Sequence, residues 1–247
     1  MISGCIPKTP LLTLVRSTVD AALWLIYPGR CLICGEAGAL SLCASCADSL
    51  VGPLKPPVCP ICGHTRLKLP CTDCAADPPM FVSARAMGPF EGDLQHMVHL
   101  LKYRDKPQLA VPLGNRLAQY ARDMRHTLND LDFDLVGAVP MRSDRLRRRG
   151  YNQSDRIARV VASELNLLYA SNVLVRTRRV TPQMQLKRAQ RLTNLIGAFA
   201  IGKDDVKGKT ILLIDDVSTT GATFKECTAV LRQAGAAKVW CLALAAG

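Results

Sequence analysis

Two aspartates followed at once by a run of hydroxyls make up the most chemically loaded segment of this sequence, Ile211-Leu-Leu-Ile-Asp-Asp-Val-Ser-Thr-Thr-Gly-Ala-Thr223. Four apolar residues lead into Asp215 and Asp216; Ser218, Thr219, Thr220, Gly221, Ala222 and Thr223 follow. Where a strand turns into a helix, such a run surrounds a cavity with backbone N–H groups and hydroxyls, which suits a phosphate dianion. Gly221 lets the backbone approach the anion closely. Two carboxylates beside a phosphate would repel it unless they face something else. A ribose diol, whose hydroxyls donate to them, or a Mg2+ ion meets that need. A plain helix N-cap with acidic first-turn residues accounts for one aspartate and one threonine, but not for the whole run. No Gly-x4-Gly-Lys-Ser/Thr occurs anywhere, which excludes a nucleoside-triphosphate P-loop.

The second concentration of chemistry is sulfur. Of 11 cysteines, eight form four Cys-x2-Cys pairs: Cys31 and Cys34, Cys43 and Cys46, Cys59 and Cys62, Cys71 and Cys74. The last four repeat the first four at a shift of 28 residues, so the block is an internal duplication. Two thiolates on one tight turn reach the same metal, and Gly35 and Gly63 relieve the turn that follows. Four thiolates close a tetrahedron and leave no open position, which makes two structural Zn2+ sites the expectation and catalysis by zinc unlooked for. Disulfides suit a different redox compartment, and a redox pair needs no four copies. The repeat favours sequential quartets, whereas an interleaved cross-brace would pair the first doublet with the third. His64 is either a substitute ligand or an exposed side chain. Cys227 and Cys241 stand in apolar surroundings and read as inert packing.

A third candidate region is Pro140-Met-Arg-Ser-Asp-Arg-Leu-Arg-Arg-Arg-Gly-Tyr-Asn-Gln153, read as a loop after a strand. Its guanidinium forks suit diphosphate oxygens, with Arg142 the favoured contact, and Arg147 and Arg148 equally readable as a solvated basic face. Lys102 and Tyr103, at the end of an amphipathic helix, either reach the same site or serve packing.

These residues need a scaffold, and the pattern after Met80 supplies one. Strands are expected at 83–87, 135–139, 209–215 and 238–244, and helices at 95–103, 152–165 and 220–233. Short apolar strands alternating with helices imply a parallel sheet, whose ligands bind at the strand carboxyl ends. Pro53, Pro56 and Pro57 separate the cysteine repeats, and Asp77-Pro-Pro-Met80 reads as a stiff linker. The expected organisation is a docking helix over residues 1–26, a double zinc ribbon over 27–79 and an α/β domain over 80–247.

Residues 11–27 are apolar, yet Arg16 and Asp20 leave the stretch too short and too charged to span a bilayer. It also lacks the ordered regions of a signal peptide. Leu12, Val15, Val19, Leu23 and Ile26 share a helical face, which suggests docking on the protein itself or an interfacial helix. The expectation is a cytoplasmic chain, not an integral membrane protein, with a peripheral place at the inner membrane face as the variant. The formal charge is +12. Eight thiolates on two zinc ions would lower that by four, and the chain stays basic, as an acidic partner would require.

Residues 211–223 resemble the signature of type I phosphoribosyltransferases. The resemblance implies that Asp215 and Asp216 hold the ribose hydroxyls of phosphoribosyl diphosphate, and that residues 218–223 hold its 5′-phosphate. It also implies that Pro140, Met141 and Arg142 belong to the pyrophosphate loop, with Mg2+ as cofactor. Further runs, Arg149-Gly-Tyr-Asn-Gln153, Leu101-Lys-Tyr-Arg104, and Thr181-Pro-Gln183 with Arg191, Asn194 and Gly197-Ala-Phe199, resemble the ComF family. Tyr151 stands where that family often carries Phe. The resemblance implies a type I phosphoribosyltransferase fold behind a double zinc ribbon. It also implies a role in DNA uptake by competent bacteria or in use of DNA as nutrient, with single-stranded DNA and DNA-uptake proteins as candidate partners. Pentosyl transfer to an acceptor the motifs do not name is the enzymatic expectation. A non-catalytic accessory that handles single strands or senses phosphoribosyl diphosphate is the alternative, although five Phe, five Tyr and two Trp provide few stacking platforms.

Overall fold

The computed structural model describes residues 29–39, 41–52, 54, 56–65, 71–127, 132–177 and 197–247, without the side chains of 125–127. The helix expected over 1–26, Pro53, and residues 178–196 with Thr181, Gln183, Arg191 and Asn194 lie outside the described residues. The chain forms two compact units, Met1–Cys46 and Ala47–Gly247.

In the first unit an antiparallel bridge joins Arg30 to Ala37. It frames a turn in which Cys31 N donates to Glu36 O and Gly35 N to Cys31 O, each at 2.9 Å. The second unit repeats the device 28 residues later. Val58 bridges Thr65, Cys59 N donates to His64 O, and Gly63 N donates to Cys59 O, the last two at 3.0 Å. Short helices α1 (Ala44–Ser49) and α2 (Thr72–Ala76) are also related by that shift. The duplication in sequence is thus a duplication of hydrogen bonds, because the turn geometry is fixed locally by the Cys-x2-Cys-Gly spacing.

The rest of the second unit is an α/β layer. Its elements are β1 (Ser83–Pro89), α3 (Gly92–Tyr103), α4 (Ala110–Thr127), β2 (Leu135–Ala138), α5 (Ser143–Arg149), α6 (Gln153–Leu165), β3 (Leu168–Tyr169), β4 (Leu174–Arg176), β5 (Phe199–Ile201), β6 (Thr210–Ser218), α7 (Ala222–Gln233) and β7 (Lys238–Ala246). Five strands form one sheet in the order β1-β7-β6-β2-β3, all parallel. β4 and β5 make a separate antiparallel pair. β6 is central, and Ile211, Leu212, Leu213 and Ile214 are all buried, the continuous apolar run of a parallel strand covered on both faces.

The expected strands and helices are present with three corrections, and α4, β3, β4 and β5 are additions that the sequence reading did not contain. β6 runs on to Ser218 rather than stopping at Asp215, because β7 continues the ladder through Val217↔Ala245 and Ser218↔Ala246. The helix after it starts at Ala222 rather than Thr220, since Gly221 is its N-cap in the left-handed region at φ 72°. Residues 143–149, expected as loop, are the helix α5, closed by Gly150 at φ 80°. An arginine-rich run has good helix propensity that a loop reading overlooks.

One buried cluster organises the second unit. Ile211 and Leu213 of β6 and Ala84 and Ala86 of β1 pack with Phe224, Cys227 and Leu231 of α7 and with Cys59, Cys62, Cys71 and Cys74. Cys227 and Cys241 are fully interior, and burial raises both thiols above their ordinary range, as inert packing requires. No helix among the described residues is long and apolar enough to cross a membrane.

Candidate functional site

Asp215 and Asp216 lie at the carboxyl end of the central strand, the side where parallel sheets receive ligands. Two helices come to meet them. Asn152 caps α6, its side chain accepting from Ser154 N at 3.2 Å, and donates through Nδ2 to Val139 O at 3.0 Å, which ties the helix start to the end of β2. From that fixed start Gln153 Nε2 donates to Asp216 Oδ2 at 2.5 Å, and Ser154 Oγ donates to Asp215 Oδ1 at 2.9 Å. From the last turn of α3, Lys102 Nζ reaches Asp216 Oδ1 at 2.7 Å. Tyr151 Oη donates to Leu101 O at 2.5 Å and so locks the end of α3 to the start of α6.

Lys102 brings a positive charge into this site through its ion pair with Asp216. Asp215 is raised to about 7, by burial first and by the charge of Asp216 second. The N–H of Asp216, the Ser154 hydroxyl and Lys102 act in the opposite direction. A like-charge pair of this kind welcomes further hydrogen-bond donors or a cation, and a ribose diol or Mg2+ supplies them. The residues therefore fit the group that the sequence implies.

The hydroxyl run sits just beyond. Ser218 is buried at the end of β6, Thr219 is exposed, Thr220 half-buried, and Ala222 buried in the first turn of α7. Thr220 Oγ1 accepts from Ala222 N at 3.4 Å. Thr223 is half-buried on the next position of the helix. Gly221 is the residue whose backbone only glycine adopts readily.

The arginine segment divides. Pro140, Met141 and Arg142 follow β2 as the expected loop, but the Arg142 guanidinium forks onto Asp144 at 3.1 and 3.0 Å. Arg145, Arg147 and Arg148 stand exposed on α5. Arg145, Arg148 and Arg149 join Lys102, Tyr103 and Asp105 around a cavity of about 590 Å3. Arg149 stacks over Tyr103 at 5.4 Å, and that ring is 70% exposed, so the cavity offers both positive charge and an open aromatic face.

The cysteines assemble as two sequential quartets, Cys31, Cys34, Cys43 and Cys46, and Cys59, Cys62, Cys71 and Cys74, with ligand atoms within 4.8 Å of one another. Cys34 and Cys43 sulfurs are 3.8 Å apart, and those of Cys62 and Cys71 3.9 Å. A tetrahedron of Zn–S bonds of about 2.3 Å has edges of about 3.8 Å, so both quartets fit the ion. The interleaved pairing is ruled out. His64 corrects both expectations for it, being 4% exposed and outside the quartet; its Nε2 lies 3.5 Å from Ser218 Oγ.

Gln153 closes the Arg149 to Gln153 run but carries no role in the sequence reading, and Ser154 is a contact of the acids outside every motif. The signal for Ser154 is position, immediately after that run at a helix start.

Comparison with known proteins matches the chain to two family models. The double zinc ribbon domain family matches residues 22–77, and the phosphoribosyl transferase domain family residues 147–247. The DNA utilization protein YhgH of Salmonella typhimurium (strain LT2) is 32% identical over 167 residues, which cover 67% of this chain and 73% of that protein. Competence protein F of Haemophilus influenzae is 29% identical over 163 residues, 64% of this chain and 71% of its own. Among solved structures, the allosteric regulatory enzyme of purine biosynthesis aligns with 60% of this chain and 30% of its own at 20% identity and a TM-score of 0.41. With two four-cysteine ribbons, a phosphoribosyltransferase fold and relatives matched over nearly three quarters of their length, this chain belongs to the ComF family.

Proposed function

We propose that this chain binds phosphoribosyl diphosphate with Mg2+ and transfers the phosphoribosyl group to an acceptor in DNA uptake or utilisation. The observation that carries this reading is the acid pair, held by Ser154, Gln153 and Lys102 beside a hydroxyl-lined turn. The relatives are a DNA utilization protein and a competence protein, which supports the cellular setting. The place of action in this reading is the cytoplasm, peripheral to the membrane where DNA enters. Eight cysteines grouped as zinc ligands rather than disulfides suit that reducing compartment.

In this reading the ribose hydroxyls donate to Asp215 and Asp216, and the N–H groups at the start of α7 with Ser218, Thr219, Thr220 and Thr223 hold the 5′-phosphate. Residues 140–142 and the arginines of α5 face the departing pyrophosphate. Bound Mg2+ would neutralise charge on the diphosphate. The chain's own part is to fix the ribose so that an acceptor reaches C1 as the C1–O bond to pyrophosphate breaks, which is positioning and charge stabilisation rather than acid–base work. Titration calorimetry tests the binding half, and no Mg2+-dependent uptake of phosphoribosyl diphosphate would sink it. Pyrophosphate release with a panel of nucleobases and nucleotides tests turnover.

A second reading is supported by the cavity beside Tyr103: a non-catalytic accessory that handles single-stranded DNA, cradling its phosphates on Arg145, Arg148 and Arg149. Single-strand binding that survives replacement of Asp215 and Asp216 by Asn, without pyrophosphate release, would favour it.

A further inference from the structure

The two cysteine quartets are equal in sequence and unequal in surroundings. In the second, Cys59, Cys62, Cys71 and Cys74 are all buried, whereas Cys34 of the first is exposed. The second quartet owes its burial to docking onto the sheet. Ala84 N donates to Ile61 O at 2.8 Å, Ser83 Oγ to Pro60 O at 3.1 Å, and Arg85 Nη2 to Pro60 O at 2.8 Å. The turn has no slack: Gly63 sits at φ 69°, and a Cβ there would stand 2.2 Å from Ala84 O.

The residue that this turn delivers is His64. Its carbonyl accepts from Cys59 N, so its backbone belongs to the metal turn itself. Its ring lies 3.5 Å from Ser218 Oγ through Nε2, and Cε1 would stand 3.6 Å from a Cβ at Gly221. Both residues belong to the phosphate turn. A separate tie joins the end of the ribbon to α7, the helix that the turn opens. Lys225 Nζ bonds Asp77 O at 2.7 Å and Asp77 Oδ2 at 2.9 Å.

We propose that the second four-cysteine site and the phosphate turn are one coupled unit, with His64 as a positioning residue that holds Ser218 and Gly221 in the shape that receives a phosphate. The inference rests on the phosphoribosyl reading and adds to it a linkage between the structural metal and the ligand. Linkage is reciprocal: if the metal turn shapes the phosphate site, a phosphate ligand must tighten the metal turn by the same factor. The first quartet, lying in the other compact unit, is no part of this statement.

The experiment uses the zinc-loaded full chain and ribose 5-phosphate as probe. Zinc affinity is measured by equilibrium competition with a chelating dye, with and without the sugar phosphate, and affinity for the sugar phosphate is measured in parallel. In the wild-type chain ribose 5-phosphate should tighten the binding of one zinc ion about fivefold or more. In His64→Ala that tightening should vanish and the Kd for ribose 5-phosphate should rise by a similar factor. His64→Gln, which keeps an amide near the Nε2 position, should restore part of both, a rescue that mere packing would not give. If His64→Ala does not fold, the Gln variant decides. Wild-type affinity and tightening in the variants would overturn the inference alone. A wild-type chain that fails to bind ribose 5-phosphate would overturn the phosphoribosyl reading, and the inference with it.

Discussion

Lys102 Nζ stands 2.7 Å from Asp216 Oδ1, and it is the lysine of α3 that makes a strand-end carboxylate tolerable inside the site. Both side chains are mostly buried, at 17% and 10% exposure. Removing one partner of such a pair leaves the other charged and uncompensated. Lys102→Met should therefore destabilise the second unit by about 3 kcal/mol, read from urea unfolding. A loss below about 1 kcal/mol would mean that Gln153 and water already compensate Asp216.

The raised carboxyl of Asp215 sets a pH dependence with a definite sign. Its folded value of about 7 lies above the ordinary 3.8, so the folded chain favours the protonated form. The stability this group contributes is complete below about pH 4 and is lost as pH rises through about 7. Ligand binding runs the other way, because a ribose diol donates best to a carboxylate. Affinity for ribose 5-phosphate should rise between about pH 6 and about pH 8. The ligand's own phosphate titrates near pH 6, so the decisive curve is that of Asp215→Asn: it should bind more weakly at the alkaline end and show a flatter profile. Identical profiles for the two proteins would separate Asp215 from the ligand.

Gly221→Ala puts a Cβ on a backbone held at φ 72°. Among the described residues only His64 Cε1 approaches that Cβ, at 3.6 Å, so the cost is backbone strain of about 1 kcal/mol rather than a clash. The expected signature is a small fall in thermal midpoint with a larger fall in ribose 5-phosphate affinity, because the strain is relieved by reshaping the turn. Equal losses of stability and affinity would make the glycine purely structural.

Metal analysis should find two zinc ions per chain, and each quartet should lose its own. Cys34→Ser should release one ion and keep the other, since its partners are Cys31, Cys43 and Cys46. Cys59→Ser should do more than release an ion. Its quartet lies in the same buried cluster as Ala84, Phe224 and Leu231, so amide exchange should rise along β1 and α7. Unchanged protection there would detach the ribbon from the sheet.

Much of this protein is legible in the chain. Cys-x2-Cys-Gly turns are closed by hydrogen bonds spanning four or five residues, so their spacing alone dictates the metal geometry, and the 28-residue shift dictates that it occurs twice. The apolar run of β6, the acids after it and the hydroxyls after them are likewise local, which is why the order of residues alone marks out the ligand loop. Where local signals fail they are overruled by neighbours or by a competing propensity: β7 carries the ladder of β6 past the acids, and helix propensity turns the arginine run into α5.

Tertiary structure alone decides what surrounds the acids and what the metal supports. Ser154 and Gln153 reach Asp215 and Asp216 across 61 and 63 residues of chain, and no spacing rule spans such a gap. Two repeats with the same cysteine pattern give no hint of which one will be buried. That depends on the outer edge of β1 and the N–H of Ala84, which the second repeat meets with Ile61 O and thereby carries His64 to Ser218. A metal turn is fixed by its own bonds; its role is fixed by the surface it lands on.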